Sequence, residues 1–180
     1  MSGRFIAVVG PSGVGKDSFM QAMAARDPRI VLARRVITRP SDAGGEDFDG
    51  VTIAEFQTCK DKGNFTLSWE AHGLHYAIPG TVTSPLQDGR DVLANLSRAV
   101  LISARERFAR FDVINLTADR DVLAARLAAR GRETDAQIAA RLDRVAALLP
   151  DGIEPLHLDN SGSLDQTVQA ALDRLYPVRA

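Results

Sequence analysis

The chain has 180 residues, 45% of them hydrophobic, and a formal net charge of −1, which suits a single α/β domain with an insertion and leaves no room for a second large domain. That near-neutral balance excludes the broad basic field of a dedicated nucleic-acid binder, so positive patches must be read one at a time. A lone cysteine, Cys59, excludes an intramolecular disulfide and a cysteine metal cluster, and with neither a charged leader nor an apolar run of membrane-spanning length the expected setting is cytoplasmic, with no membrane partner.

The apolar run at 5–9 reads as a buried strand and the segment 18–26 as a helix. Between them stand Gly10, Pro11, Ser12, Gly13, Val14, Gly15, Lys16, Asp17 and Ser18. The glycines allow backbone N–H groups to curl around phosphate oxygens, the helix end adds its dipole, and Lys16 supplies a mobile charge for the β- and γ-phosphates. The segment therefore predicts binding of a nucleoside triphosphate together with Mg²⁺. The hydroxyl residue that usually follows the lysine is replaced by Asp17, and Ser18 is the nearest hydroxyl. A carboxylate beside a triphosphate is repelled unless a divalent cation lies between them, so Asp17 either ligates the metal, directly or through water, or is an ordinary first-turn helix residue.

A short strand is predicted at 36–38, flanked by Arg34, Arg35 and Arg39, with Glu46 downstream. Guanidinium forks suit phosphate oxygens, whereas a solvated basic edge would explain any one of these arginines and Glu46 would then only orient one. From about 39 to 90 the regular alternation breaks: 41–50 is polar and glycine-rich, 52–60 looks like a capped helix and 65–77 looks strand-like. This is the expected substrate-facing insertion in a core made of about 1–38 and 91–180. Strands follow at 92–96, 113–116 and 156–158, and helices at 98–108, 120–129, 135–149 and 164–175. The alternation predicts a three-layer α/β fold with a parallel sheet. Arg126, Arg130, Arg132, Arg141 and Arg144 surround Gly131, so that 126–144 reads either as a helical lid that closes arginines over a phosphoryl group or as an arginine-rich surface. His72, His75 and His157 lack metal-ligand spacing, and Trp69 is expected to be a wall of the insertion.

Three separated blocks carry a resemblance: Gly-Pro-Ser-Gly-x-Gly-Lys at 10–16, Thr38-Arg39 with Glu46, and Arg126-Leu-x-x-Arg130-Gly-x-Glu133-Thr134 followed by Ile138-x-x-Arg141-Leu142. Through them the chain resembles the guanylate kinase superfamily of P-loop kinases over nearly its whole length. The resemblance implies that Lys16, Arg130 and Arg141 serve catalysis, that Arg39 holds acceptor phosphate and that Asn160 lies near the adenine. The family's guanine-reading features do not carry over. Gly73-Leu74-His75-Tyr76-Ala77 replaces the Gly-Asn-x-Tyr-Gly segment, and by register the two acidic positions fall at about Leu67 and Ala94. Without those carboxylates guanine's N–H groups stay unpaired, a penalty of the order of 10⁴ in discrimination.

The same departures, Asp17-Ser18, Ile37-Thr38-Arg39, Leu67-Ser68-Trp69, Gly73-Leu74-x-Tyr76, Asn95-x-Ser97-Arg98-Ala99 and Arg130-Gly131-Arg132-Glu133, resemble the ribose 1,5-bisphosphate phosphokinases of bacterial phosphonate breakdown. That implies transfer of the ATP γ-phosphoryl to the 5-phosphate of ribose 1,5-bisphosphate, giving 5-phospho-α-D-ribose 1-diphosphate and ADP. Arg35, Arg39, Glu46, Tyr76, Ser97, Arg98 and Arg132 form the implied acceptor-binding set, with Ser97 and Arg98 assigned to the ribose or its 1-phosphate. The partner is then a small phosphorylated sugar. Two other readings stay open, a nucleoside monophosphate kinase with altered base recognition and a non-catalytic guanylate kinase-like binding module. A homodimer is compatible with the sequence, which marks no interface.

Overall fold

The computed structural model describes residues 2–42, 46–129, 131, 134–143 and 149–177. Its centre is the strand β1 (Phe5–Val9), every residue of which is buried. A fully apolar five-residue run with no alternation suits a strand covered on both faces, and β1 lies parallel to β7 (Asp91–Asn95) on one side and β8 (Phe111–Thr117) on the other. With the edge strands β2 (Ile30–Leu32) and β9 (Leu156–Asp159), the order is β2-β7-β1-β8-β9, all parallel. Alternate residues feed two apolar layers. Ile6 and Val8 face Phe19 and Met23 of α1 (Lys16–Arg26), Leu123 and Leu127 of α5 (Arg120–Ala129), and Val168 of α7 (Leu164–Leu175). Phe5, Ala7 and Val9 face Leu101 and Ala104 of α4 (Leu101–Arg107) on the opposite side.

A second sheet, ordered β4-β3-β6-β5, packs on that opposite side through Leu67 and Ile78. It comprises β3 (Arg35–Ile37), β4 (Phe48–Gly50), β5 (Phe65–Ala71) and β6 (Leu74–Pro79). The strand expected at 36–38 is β3, and it belongs to this sheet rather than to the parallel one, pairing antiparallel with β6 at Ile37 and Tyr76. The strand-like stretch at 65–77 is a hairpin, turned by His72 and Gly73, which both have positive φ (53° and 73°). That pair of left-handed residues is what a two-residue turn between twisted antiparallel strands requires. The capped helix expected at 52–60 is α2 (Ile53–Asp61), started by a reciprocal Thr52–Glu55 capping box.

Other boundaries differ from expectation. The helix expected at 98–108 opens as a 3-10 turn, Arg98–Val100, and only then becomes α4. Strands β2 and β4, three residues each, and the five-residue α3 (Thr83–Gln87) are too short to show a period in the sequence. Of the helix expected at 135–149, α6 (Asp135–Asp143) is described, and 144–148 lie outside the described residues.

At the amino end of the sheet, Arg4 donates to Asp91 from its backbone N–H (2.7 Å) and from Nη2 (2.7 Å), and the Tyr176 hydroxyl donates to the same carboxylate at 2.7 Å. Arg29 stacks on the Tyr176 ring, 3.8 Å from its centroid. This cluster fastens the end of α7 beneath β1 and β7 and leaves the carboxyl ends of those strands for the site.

Candidate phosphate-transfer site

The loop from Gly10 to Gly15 rises from the carboxyl end of β1 and enters α1. Gly15, the residue before the helix, is left-handed (φ 95°, ψ 31°), and no side chain caps the helix. The first-turn N–H groups therefore remain available to an anion. Gly13 is also left-handed (φ 85°), and a Cβ there would come within 3.1 Å of Leu127 Cγ. A Cβ on Gly15 would come within 3.0 Å of Asn160 Nδ2. Both glycines are thus required by backbone angle and by space. Lys16 is folded back over the loop, its Nζ donating to Gly10 O at 2.9 Å and to Pro11 O at 3.4 Å. Ser12 is exposed, and Val14 is buried in the apolar core beneath the loop.

Asn160, 3% exposed, holds this loop from below. Its Nδ2 donates to Val14 O at 2.8 Å, its Oδ1 accepts from Thr167 Oγ1 at 2.8 Å, and its backbone N–H donates to Thr117 O at 2.7 Å. Arg126 joins the clamp, donating to Val14 O at 3.2 Å and to Asn160 O at 2.8 Å. Asn160, read from the sequence as an adenine neighbour, thus has both ends of its amide engaged with the protein. The sequence reading missed the clamping parts of Arg126, whose partner Val14 is 112 residues away in the chain, and of Thr167, which is only seven residues from Asn160 but across the turn between β9 and α7.

Asp17, half-buried, accepts a hydrogen bond from Asn95 Nδ2 at 3.4 Å through Oδ1. Ser18 is exposed. Among the described residues no three His, Cys, Asp or Glu side chains gather into a metal cage. One carboxylate and one hydroxyl at a phosphate loop suit magnesium carried in by a nucleotide, which keeps several waters and needs few protein ligands. The donor set therefore fits the metal implied by the sequence.

Asn95 ends β7 and stands in register with Val8 of β1, on the edge of the sheet that carries the loop. Its main-chain oxygen accepts from Arg35 Nη1 at 3.0 Å. Arg35, 8% exposed, grips Glu46 with two hydrogen bonds, from Nε at 2.8 Å and from Nη2. Its guanidinium also lies 5.1 Å from the Tyr76 ring centroid, and Tyr76 stacks on Trp69 at 5.5 Å. Arg35, Glu46 and Tyr76 thus form one packed group at the mouth of the site. Arg39 sits over the Phe48 ring at 4.3 Å. Arg34 is exposed and paired with Asp47 and Asp49.

Ser97 caps the 3-10 turn by accepting from Ala99 N–H at 3.4 Å. Arg98 follows it, half-buried, with no hydrogen-bond partner for its buried Nε among the described residues. Burial holds this guanidinium below the ordinary arginine range. A cation in that position is stabilised by an incoming anion.

The two positions to which the sequence register assigned guanine reading are apolar and closed. Leu67 and Ala94 are 7% and 0% exposed and sit in one apolar cluster with Ile78 and Val9. Arg130 and Arg132, expected in the lid, lie outside the described residues, as does the side chain of Arg141, whose backbone is part of α6. Gly131, with φ 62°, follows the end of α5 in a left-handed conformation.

No protein-family model matches the chain. Among curated proteins, the chain is 51% identical over 170 residues to a ribose 1,5-bisphosphate phosphokinase of Ruegeria sp. (strain TM1040), covering 94% of this chain and 90% of that one. A ribose 1,5-bisphosphate phosphokinase of Azotobacter vinelandii is 47% identical over 184 residues, covering 100% and 99%. Among solved structures, the guanylate kinase of Anaplasma phagocytophilum superposes with a TM-score of 0.61 at 17% identity, covering 97% of this chain and 85% of that one, a likeness of fold.

Proposed function

Because the chain belongs to the ribose 1,5-bisphosphate phosphokinase family, we propose that it phosphorylates ribose 1,5-bisphosphate with ATP, giving 5-phospho-α-D-ribose 1-diphosphate and ADP in phosphonate breakdown. The observation that carries this reading is the pairing of an intact phosphate loop with closed guanine positions at Leu67 and Ala94. Such a site can grip phosphates and offers no carboxylate at those two positions to read that base.

The product corrects one expectation from the sequence. It bears its diphosphate on carbon 1 and keeps a single phosphate on carbon 5, so the γ-phosphoryl goes to the 1-phosphate and not to the 5-phosphate. An oxygen of the 1-phosphate forms the new bond to the γ-phosphorus as the bond to the β-bridging oxygen breaks, and ADP leaves with that electron pair. The attacking oxygen is already ionised, so no general base is required; positioning and charge stabilisation are the protein's work. The loop N–H groups hold the ATP phosphates, and Lys16 swings from the Gly10 and Pro11 carbonyls to the β- and γ-phosphates. Asp17 and Ser18 would hold magnesium, which would supply charge neutralisation for the phosphates. Arg39 and Arg98 meet the acceptor's phosphates, Arg35 with Glu46 and Tyr76 builds the wall against which the sugar lies, and Ser97 faces the ribose. By the resemblance, Arg130, Arg132 and Arg141 supply positive charge to the transferring group.

The test is ADP release from Mg²⁺-ATP with ribose 1,5-bisphosphate or GMP offered separately, with the diphosphate product assayed directly. Turnover with the sugar alone is expected, and turnover with GMP alone would return the chain to the nucleotide kinases. Lys16→Ala should reduce turnover by about 100-fold or more in a protein whose circular dichroism shows it still folded. A folded variant with undiminished turnover would remove Lys16 from the mechanism.

A further inference from the structure

The replacement of the usual hydroxyl by Asp17 sets a problem that the site has to solve. A carboxylate at the start of α1 is repelled by a triphosphate unless a cation lies between them, so its direction matters. The atom that meets it is Nδ2 of Asn95, at 3.4 Å from Oδ1. Asn95 is held in turn: it is the last residue of β7, in register with Val8, and its main-chain oxygen is pinned by Arg35. We infer that Asn95 is a positioning residue that fixes the Asp17 carboxylate for the metal, engaging Oδ1 and leaving Oδ2 for a cation that arrives with the nucleotide.

The chemistry of the amide supports this assignment. A carboxylic acid at 95 would add a second negative charge facing Asp17 and the phosphates, whereas an amide offers an N–H donor with no net charge. An aliphatic residue would leave Asp17 without its partner. The connection also extends beyond the metal side. Asp17, Asn95, Arg35 and Glu46 form one continuous chain of contacts from the phosphate loop to the acceptor mouth, so the same backbone segment at the end of β7 places the donor's metal ligand and the acceptor's wall. Residues behind a metal ligand orient it, and their removal typically weakens metal binding 10- to 100-fold.

The inference rests on the reading of Asp17 as a metal ligand, and calorimetric titration of nucleotide without any acceptor tests both while keeping them apart. ATP affinity is measured in excess EDTA and across a Mg²⁺ series for the wild type, Asp17→Ala, Asn95→Ala and the double variant. Asn95→Ala should bind ATP as the wild type does in EDTA, which also shows that the loop is folded, and should weaken the Mg²⁺-dependent gain about tenfold. In the Asp17→Ala background the same change should have no further effect on that gain. If Asp17→Ala keeps the full Mg²⁺ gain, the reading of Asp17 as ligand fails. If Asp17→Ala loses it and Asn95→Ala does not, or if the two losses simply add, the positioning role of Asn95 is overturned. An equal loss by Asn95→Ala in EDTA and in Mg²⁺ would also overturn it, because that is the pattern of a residue that only shapes the loop.

Discussion

Asn160 satisfies the Val14 carbonyl with its N–H and the Thr167 hydroxyl with its oxygen, both deep in the protein. Asn160→Ala leaves that carbonyl with Arg126 as a side-chain donor and the Thr167 hydroxyl with the main-chain oxygens of Asp159 at 3.2 Å and Ser163 at 3.3 Å, so the loss is that of the two hydrogen bonds themselves, about 1 kcal/mol each. Asn160→Asp, equal in shape, sets a carboxylate oxygen against the carbonyl and should be the less stable of the two at neutral pH. Urea denaturation of both variants checks the order, and an aspartate variant as stable as the wild type would show that the amide is not the clamp. The sequence offered Asn160 as a site residue through resemblance, but its direction was hidden because the carbonyl it holds is 146 residues away in the chain. Gly13, Gly15 and Lys16 were legible for the opposite reason: their geometry is local and the backbone demands it. Arg35 shows the limit between these cases. That Glu46 orients one of the nearby arginines was an open reading of the sequence and Arg35 is the one it holds, whereas the grip of Arg35 on the Asn95 carbonyl, 60 residues away, is a long-range fact.

Elements with their own start and stop chemistry were readable. Helix α2 carries its capping box in four residues, α5 runs to a left-handed glycine just beyond its end, and α7 begins at Ser163, whose hydroxyl accepts from Gln166 N–H at 3.3 Å. Thr52→Ala should destabilise the protein by about 1 kcal/mol, seen as a lower denaturation midpoint. Because α2 lies outside the phosphate loop, ATP affinity should stay unchanged; a parallel loss of affinity would mean that α2 supports the site directly. What escaped the sequence were elements defined by their partners. β3 looks like any short apolar strand, and its sheet is decided by pairing with β4 and β6. The first turn after β7 is 3-10 because Val100 N–H returns to Ser97 O at 3.2 Å, an i to i+3 bond that periodicity does not distinguish from the start of an α-helix.

Across the whole molecule, the site end of the sheet is matched by a latch at the other end. Burial of the Asp91 carboxyl works to raise its pKa, but hydrogen bonds from Arg4 and Tyr176 and the charge of Arg4 outweigh it and hold it below the ordinary carboxylate value. Asp27, hydrogen-bonded by Arg29, is displaced in the same direction. A carboxylate with a depressed folded-state pKa contributes stability that is fully present above its unfolded value of about 4 and is lost as the pH falls through the folded one. Denaturation measured between neutral pH and pH 2 should therefore show stability falling below about pH 4. Arg4→Met should flatten that acid limb and, by leaving a buried carboxylate without its cation, cost about 3 kcal/mol or more at pH 7. An unaltered acid limb in this variant would place the titration elsewhere.

The apolar filling at 67 and 94 has a historical consequence. Ala94→Asp would put a carboxylate among Val9, Val92 and Val113 before any base was present to pair with it, and Leu67→Glu would do the same from the second sheet. Each intermediate would forfeit several kcal/mol from a margin that is only about 5–15 kcal/mol in domains of this kind. A lineage that changes one residue at a time toward a carboxylate at either position therefore meets a stability valley, and the apolar filling acts as a ratchet against that change.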